Sequence, residues 1–177
     1  MKRILLIVLL LYMTSSTVFA QVYTDPQNIS ITIPDNWKVI KSNYISNNNL
    51  YDTFLSGGKE QFIYLVSIYY PTMPKSTTLY NYSDAQISGA IYSMFGKMIG
   101  SGTVTNKPNY TKTMVNGTPA VASYITAAAQ NGTPLVGIIY MVLKNKKLAF
   151  VIYVTTPGNA KEFIPTIDKS INTLEIN

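Results

Sequence analysis

The second half of the chain carries extended apolar runs whose junctions hold tight-turn signals: Asn116-Gly117, Asn131-Gly132 and Asn145-Lys146. Asn-Gly is the strongest short hairpin signal, because both central residues of a type I′ turn need positive φ. The pattern predicts an antiparallel meander. Residues 111–115 pair with 120–128, that run with 135–143, and that one with 148–155. The last two runs are apolar at nearly every position, so both faces of the sheet must be covered. Asn-Gly-Thr-Pro occurs at both Asn116 and Asn131, in different surroundings, and is reused turn chemistry, not a repeat.

The rest of the chain supplies further strands and two helices. Ile29, Ile31 and Ile33 alternate with Ser30 and Thr32, the period of a half-buried strand. Pro34-Asp35-Asn36 breaks it before Trp37. A weaker strand is expected over 39–45 and a further one over 50–55, with a turn between them. Gly57-Gly58 is expected to turn the chain into a central strand over 61–70. Ser83 and Gln86 form a capping box for a helix over 84–99, with Ile87, Ile91, Phe95 and Met98 as its apolar stripe. A second helix over 160–172 shows Phe163, Ile167, Ile171 and Leu174 on one side. Pro165 is near enough to its start to be tolerated, and 174–176 is expected to return to a sheet edge. Residues 22–27 read as a loose leader. The whole of 21–177 reads as one domain.

The first twenty residues stand apart. Lys2 and Arg3 precede an apolar run of about ten residues, and Val18-Phe19-Ala20 follows. That order is a secretory signal peptide, with cleavage expected after Ala20. The rival reading is an uncleaved anchor, but the run is half the ~20 residues a spanning helix needs. With no cysteine in the chain, lipoprotein processing is closed. The expectation is a periplasmic or secreted protein with no transmembrane segment after cleavage.

Composition then removes function classes. The chain has neither histidine nor cysteine. Ser-His-Asp and Cys-His catalysis, zincin motifs and thiol chemistry are therefore impossible. Asp35, Asp52, Glu60 and Asp168 are too scattered in sequence to nominate as an acid/base pair. No catalytic residue, metal ligand or cofactor site is expected. Ser56-Gly57-Gly58-Lys59 lacks the spacing of a phosphate loop, and 46–49 with Asp52 lacks the clustered oxygens of a calcium loop. Without Lys2 and Arg3, the fourteen basic residues become twelve lysines against eight carboxylates, a net charge of +4. No arginine is left for bidentate phosphate or guanine contacts, so nucleic acid is not an expected partner.

The candidate partner surface is Trp37 with Lys144, Lys146 and Lys147. Trp37 is either a binding hot spot or a cap on the core. The three lysines share one hairpin tip, as a peripheral contact for anionic lipid headgroups or as a solvated turn. Some of the many tyrosines would form an exposed aromatic patch or serve as ordinary strand residues. Met94, Met98, Met114 and Met141 suit an adaptable apolar pocket as well as they suit a core.

The order of elements resembles the Mog1/PsbP-like superfamily. The resemblance lies in the opening strand with Pro34-Asp35-Asn36-Trp37, similar to that family's Pro-x-Gly-Trp. It lies also in the helix followed by a meander with Asn-Gly turns, and in the closing Asp168-Lys169-Ser170-Ile171-Asn172-Thr173-Leu174. Asn36 replaces the usual glycine, and asparagine is the next best residue for left-handed backbone. The resemblance implies an α+β fold: an antiparallel sheet with helices packed on both faces, an α/β/α sandwich. It implies binding without catalysis. The leading expectation is an exported accessory protein that binds an envelope protein or lipid. The alternative is a small-molecule or lipid carrier with an apolar cleft between sheet and helix.

Overall fold

The meander forms as the turns predict. In the computed structural model, which describes residues 20–106 and 109–177, β7 (Asn109–Val115), β8 (Thr118–Ala128), β9 (Pro134–Lys144) and β10 (Lys147–Thr155) pair antiparallel in order. Asn116 and Gly117 both have positive φ, 43° and 72°, as do Asn145 and Lys146, 52° and 67°. Asn131-Gly132 behaves differently. Only Gly132 is left-handed, at 82°, and Ala129 to Thr133 form a longer loop closed by the Ala129 N–H on the Thr133 carbonyl at 2.8 Å. Asn131 Oδ1 accepts the Thr133 N–H at 3.0 Å instead of entering a type I′ turn.

Three earlier strands extend this sheet. They are β3 (Lys38–Ile45), β4 (Leu50–Gly58) and β5 (Gln61–Tyr69). The strand order is β3-β4-β5-β10-β9-β8, with β6 (Thr103–Val104) and β7 both on the outer side of β8. As its apolar faces predict, β5 is central. The turn before it is not Gly57-Gly58. Gly58 pairs with Gln61, and the loop is Lys59-Glu60, with φ of 50° and 58°. Gly57 is a glycine for another reason: a Cβ there would lie 2.3 Å from the Trp37 ring.

The expected loose leader is also corrected. β1 (Ala20–Thr24) pairs with β2 (Ile29–Pro34), and β11 (Glu175–Ile176) takes the other side of β2, making a separate three-stranded sheet. One long-range and two local side-chain bonds hold this segment. The Tyr23 hydroxyl lies 2.6 Å from Thr53 Oγ1, and Asp25 Oδ1 accepts the N–H groups of Gln27 and Ile29 at 2.8 and 2.9 Å. The turn before Trp37 is closed by its N–H on the Pro34 carbonyl at 3.0 Å. Asn36 is not among the residues with positive φ, so that turn has no need of a glycine.

Helix α1 (Asp84–Ile99) begins where the capping box predicts. The Ser83 N–H donates to Gln86 Oε1 at 2.9 Å, and the Gln86 N–H returns to Ser83 Oγ at 3.4 Å. Its buried side is Ile87, Ile91, Met94 and Phe95; Met98 is half-buried. Helix α2 (Ala160–Ile171) buries Phe163, Ile167 and Ile171. Pro165 lies inside it, beyond the first turn where it was expected, and on the exposed side. Alternate residues of β5 join different apolar clusters. Ile63 and Leu65 pack with β2, Phe163 and Ile167, whereas Tyr64 and Val66 pack with Ile87, Ile91 and Phe95.

Candidate functional site

Trp37 caps the core. It is 4 % exposed, its ring stacks on Phe163 at 5.6 Å between centroids, and the bare backbone of Gly57 receives its edge. Gln21 Nε2 donates to its carbonyl at 2.8 Å. What remains accessible of it forms part of a groove of about 430 Å³, shared with Asn36, Lys59, Glu162, Pro165 and Lys169. Lys59 and Glu162 face each other across that groove at 3.9 Å, both well exposed, so their pairing contributes little to stability.

The three lysines sit at the other end of the sheet. Gly58, next to the glycine under Trp37, pairs with Gln61 at the start of β5, and Lys147 pairs with Tyr69 at its end. Eight residues of strand, roughly 26 Å, separate the two. Trp37 and the lysines therefore do not form one surface. Nor are the lysines a free comb. Lys146 Nζ donates to the Pro71 carbonyl at 2.8 Å, Lys147 Nζ donates to the Asn177 carbonyl, and Asn145 Nδ2 donates to the Ile176 carbonyl at 3.3 Å. The tip fastens the β5–α1 connection and the C-terminal strand. Lys144 is exposed, and the other two are half-buried.

Two features lie apart from Trp37 and the lysines. The first is the open side of β3. Among the described residues, no strand pairs with its outer edge. Seven of its eight residues are exposed and Asn43 is half-buried. Ile40 is 59 % and Tyr44 50 % exposed, with Val39 and Ile45 close behind. Tyr44 stacks on Tyr51 of β4 at 4.4 Å between centroids. On the opposite face, half-buried Phe54 packs against Phe62 and Tyr64 with centroids 5.9 and 5.1 Å away. Beside these rings Asp52 accepts hydrogen bonds from Asn43 Nδ2 at 2.6 Å and the Tyr64 hydroxyl at 3.1 Å. Burial, with the neighbouring Asp52 charge, pushes the Tyr64 hydroxyl well above the usual tyrosine range. It remains a protonated donor.

The second feature is a cavity of about 300 Å³ between α1, the β9–β10 hairpin and the connection after β5. Its walls are apolar: Met73, Leu79, Ile87, Ala90, Met141, Leu143 and Leu148, with Tyr70, Tyr82 and Gln86 as polar members. Burial and proximity to Tyr82 raise the Tyr70 hydroxyl above its ordinary value. Of the four methionines expected to suit a pocket, only Met141 lines this one. Met94 is buried in the core, Met98 packs against it, and Met114 is 56 % exposed.

Three of the carboxylates are engaged in local structure. Asp52 is held by Asn43 and Tyr64, Asp84 by the Tyr110 hydroxyl, and Glu60 by Thr156 Oγ1 at 3.0 Å. Among the described residues, no group of three acidic side chains is placed to hold a metal ion. Likewise, no helix among them is long and apolar enough to cross a membrane.

The sequence matches no protein-family model and no curated protein. Its likenesses are in three dimensions. The cyanobacterial PsbP protein (CyanoP) of Synechocystis matches with a TM-score of 0.62 at 8 % identity, over 93 % of this chain and 96 % of that one. LpqN, involved in cell envelope biogenesis of Mycobacterium tuberculosis, matches with a TM-score of 0.51 at 10 % identity, over 94 % and 95 %. A Bacteroides thetaiotaomicron protein matches with a TM-score of 0.54 at 9 % identity, over 89 % of this chain and 48 % of that one. Over its described residues the chain is therefore a mainly antiparallel α+β protein with two α-helices and the PsbP-like fold.

Proposed function

We propose that this chain is an exported accessory protein of the cell envelope that binds another protein and carries out no catalysis. The observation that carries the reading is the open edge of β3. An unpaired edge offers a row of backbone donors and acceptors, and an extended segment of a partner can add to it as a further strand. Exposed Val39, Ile40, Tyr44 and Ile45 give that segment apolar contacts. Lys38, Lys41 and the bulge between Val39 and Lys41 guard the first half of the edge against unspecific pairing. The regular half runs from Lys41 to Ile45, in unbroken register with β4. The arrangement reads as an α/β/α sandwich, with α1 over one face of the large sheet and α2 with the small sheet over the other.

Export rests on the signal-peptide pattern of the first twenty residues, which lie outside the described residues apart from Ala20. LpqN, a neighbour in fold, belongs to cell envelope biogenesis, which is compatible with an envelope role here. The absence of histidine and cysteine supports a non-catalytic reading. Lys144 remains a candidate contact for anionic headgroups.

The experiment compares tagged wild-type protein with Tyr44→Lys and Ile45→Lys in the native envelope after crosslinking. A shared partner should be recovered with wild type and with the control Tyr92→Lys on α1, and lost with the two edge variants. Equal recovery from all four would sink the edge as the binding site. Export has its own check: the mature chain should begin at Gln21, and an unprocessed chain in the membrane fraction would refute cleavage.

A second reading, a small-molecule or lipid carrier, is favoured by the cavity beneath α1, which lies between sheet and helix and has the size of a small ligand site.

A further inference from the structure

We infer that the cavity beneath α1 takes the alkyl chain of a free single-chain carboxylate, with its head held at the Lys146 end; this rests on the carrier reading. The tail is dictated by the walls. Met73, Leu79, Ile87, Met141 and Leu148 surround about 300 Å³. A methylene is close to a water in size, at roughly 30 Å³, so the space suits a tail of about ten carbons. Methionines in the wall let it adapt to a flexible chain.

The head is dictated by what stands at the rim. Gln86 Oε1 is already engaged by the Ser83 N–H and hydroxyl, which leaves its amide N–H groups to donate. Tyr70 and Tyr82 contribute hydroxyls. Leu143 and Leu148 of the wall are the cross-strand pair next to Lys144 and Lys147, whose side chains alternate to the other face of the sheet; of the three tip lysines, Lys146, in the turn, is the one that reaches the connection beside Tyr70. Lys146 Nζ sits on the Pro71 carbonyl, one residue from Tyr70. An ammonium has three donors, so two remain for a ligand. A second groove, about 420 Å³, adjoins at Tyr70 and carries Lys97. The carboxylate nearest in sequence, Asp84, is engaged by Tyr110. A rim of donors and lysine complements an acceptor-only anion. Lys146 thus has a role that a solvated turn would not require.

The test is calorimetric titration of the full mature chain with decanoate, decanol and shorter and longer carboxylates. Decanoate should bind one to one and saturably. Affinity should rise about fourfold per methylene from hexanoate to decanoate, the fold-change of ~0.8 kcal/mol per buried CH₂, and level off by tetradecanoate. Ala90→Phe should fill the cavity and weaken binding at least tenfold. Met73→Trp, on the connecting loop, is the second filling variant should the helix substitution fail to fold. Lys146→Gln should weaken decanoate severalfold and leave decanol unchanged. If decanoate and decanol bind alike and Lys146→Gln moves neither, the head-group assignment is overturned while the carrier reading stands. If no alkyl chain binds, or the filled variants bind as wild type does, the site and the carrier reading fall together.

Discussion

Gly57 shows how one residue can be misread and still be essential. In the sequence it belongs to a Gly-Gly pair that resembles a turn. In the structure it is a strand residue whose missing side chain admits the Trp37 ring, which then stacks on Phe163. The neighbour that must yield is a packed aromatic ring, not the end of a flexible chain. Gly57→Ala should therefore cost about 1–3 kcal/mol, the usual range for overpacking. Gly89→Ala on α1 is the matched control. No atom lies within 4 Å of its added Cβ, and the substitution should stabilise by up to ~1 kcal/mol through helix propensity. Urea unfolding of both variants checks the pair; equal and small effects would mean that the ring does not rest on Gly57. No local rule reveals this contact, because Trp37 and Gly57 meet only after β3 and β4 have paired.

Elements were legible where their signals are local. The start of α1 was readable from Ser83 and Gln86 because a capping box spans only three residues. Ser83→Ala should cost ~1 kcal/mol, read as a lower thermal midpoint; no change would mean that water caps the helix as well as serine does. The strand β2 was readable from the alternation of Ile29, Ile31 and Ile33. Its membership of a separate sheet was not, since β1 and β11 join it from near opposite ends of the described chain. The side chains of Tyr23 and Asp25 that order the β1–β2 segment give no periodic pattern. The Lys59-Glu60 turn has no local signature, because two charged residues in left-handed backbone carry no turn signal of their own. The lysine hairpin is legible as an element from Asn145-Lys146 between two apolar runs. Its bonds to Pro71 and Asn177 were invisible, because they depend on where the rest of the chain returns.

At the scale of the molecule, the tyrosines couple stability to pH. Burial raises Tyr64, Tyr70, Tyr140 and Tyr153 above the ordinary tyrosine value, and Tyr153 is fully buried. A raised folded-state value means that the native state holds its protons above pH ~10, where the unfolded chain has begun to release them. Stability contributed by these groups is complete below that pH and falls as pH rises through the window above it. The slope for Tyr153 alone should approach ~1.4 kcal/mol per pH unit. Denaturant midpoints between pH 8 and 11 should be flat at first and then fall, more gently in Tyr153→Phe; a fall unchanged by that substitution would remove Tyr153 as a cause.

The general fold was legible from the meander, the Trp37 turn and the closing helix, and the likeness to CyanoP agrees with it. The candidate site was less so. Trp37 and the lysines stand out by residue type but lie at opposite ends of β5, whereas the open edge exists only through the strand order that places β3 outermost. The central claim is that this edge receives a partner strand. The most direct measurement is photo-crosslinking in the native envelope from a benzophenone amino acid placed at Tyr44, with Tyr92 on α1 as the reference position. The account predicts a discrete crosslinked protein from position 44, suppressed by Ile45→Lys, and none from position 92. Crosslinks of equal yield from both positions, or none from position 44, would contradict it.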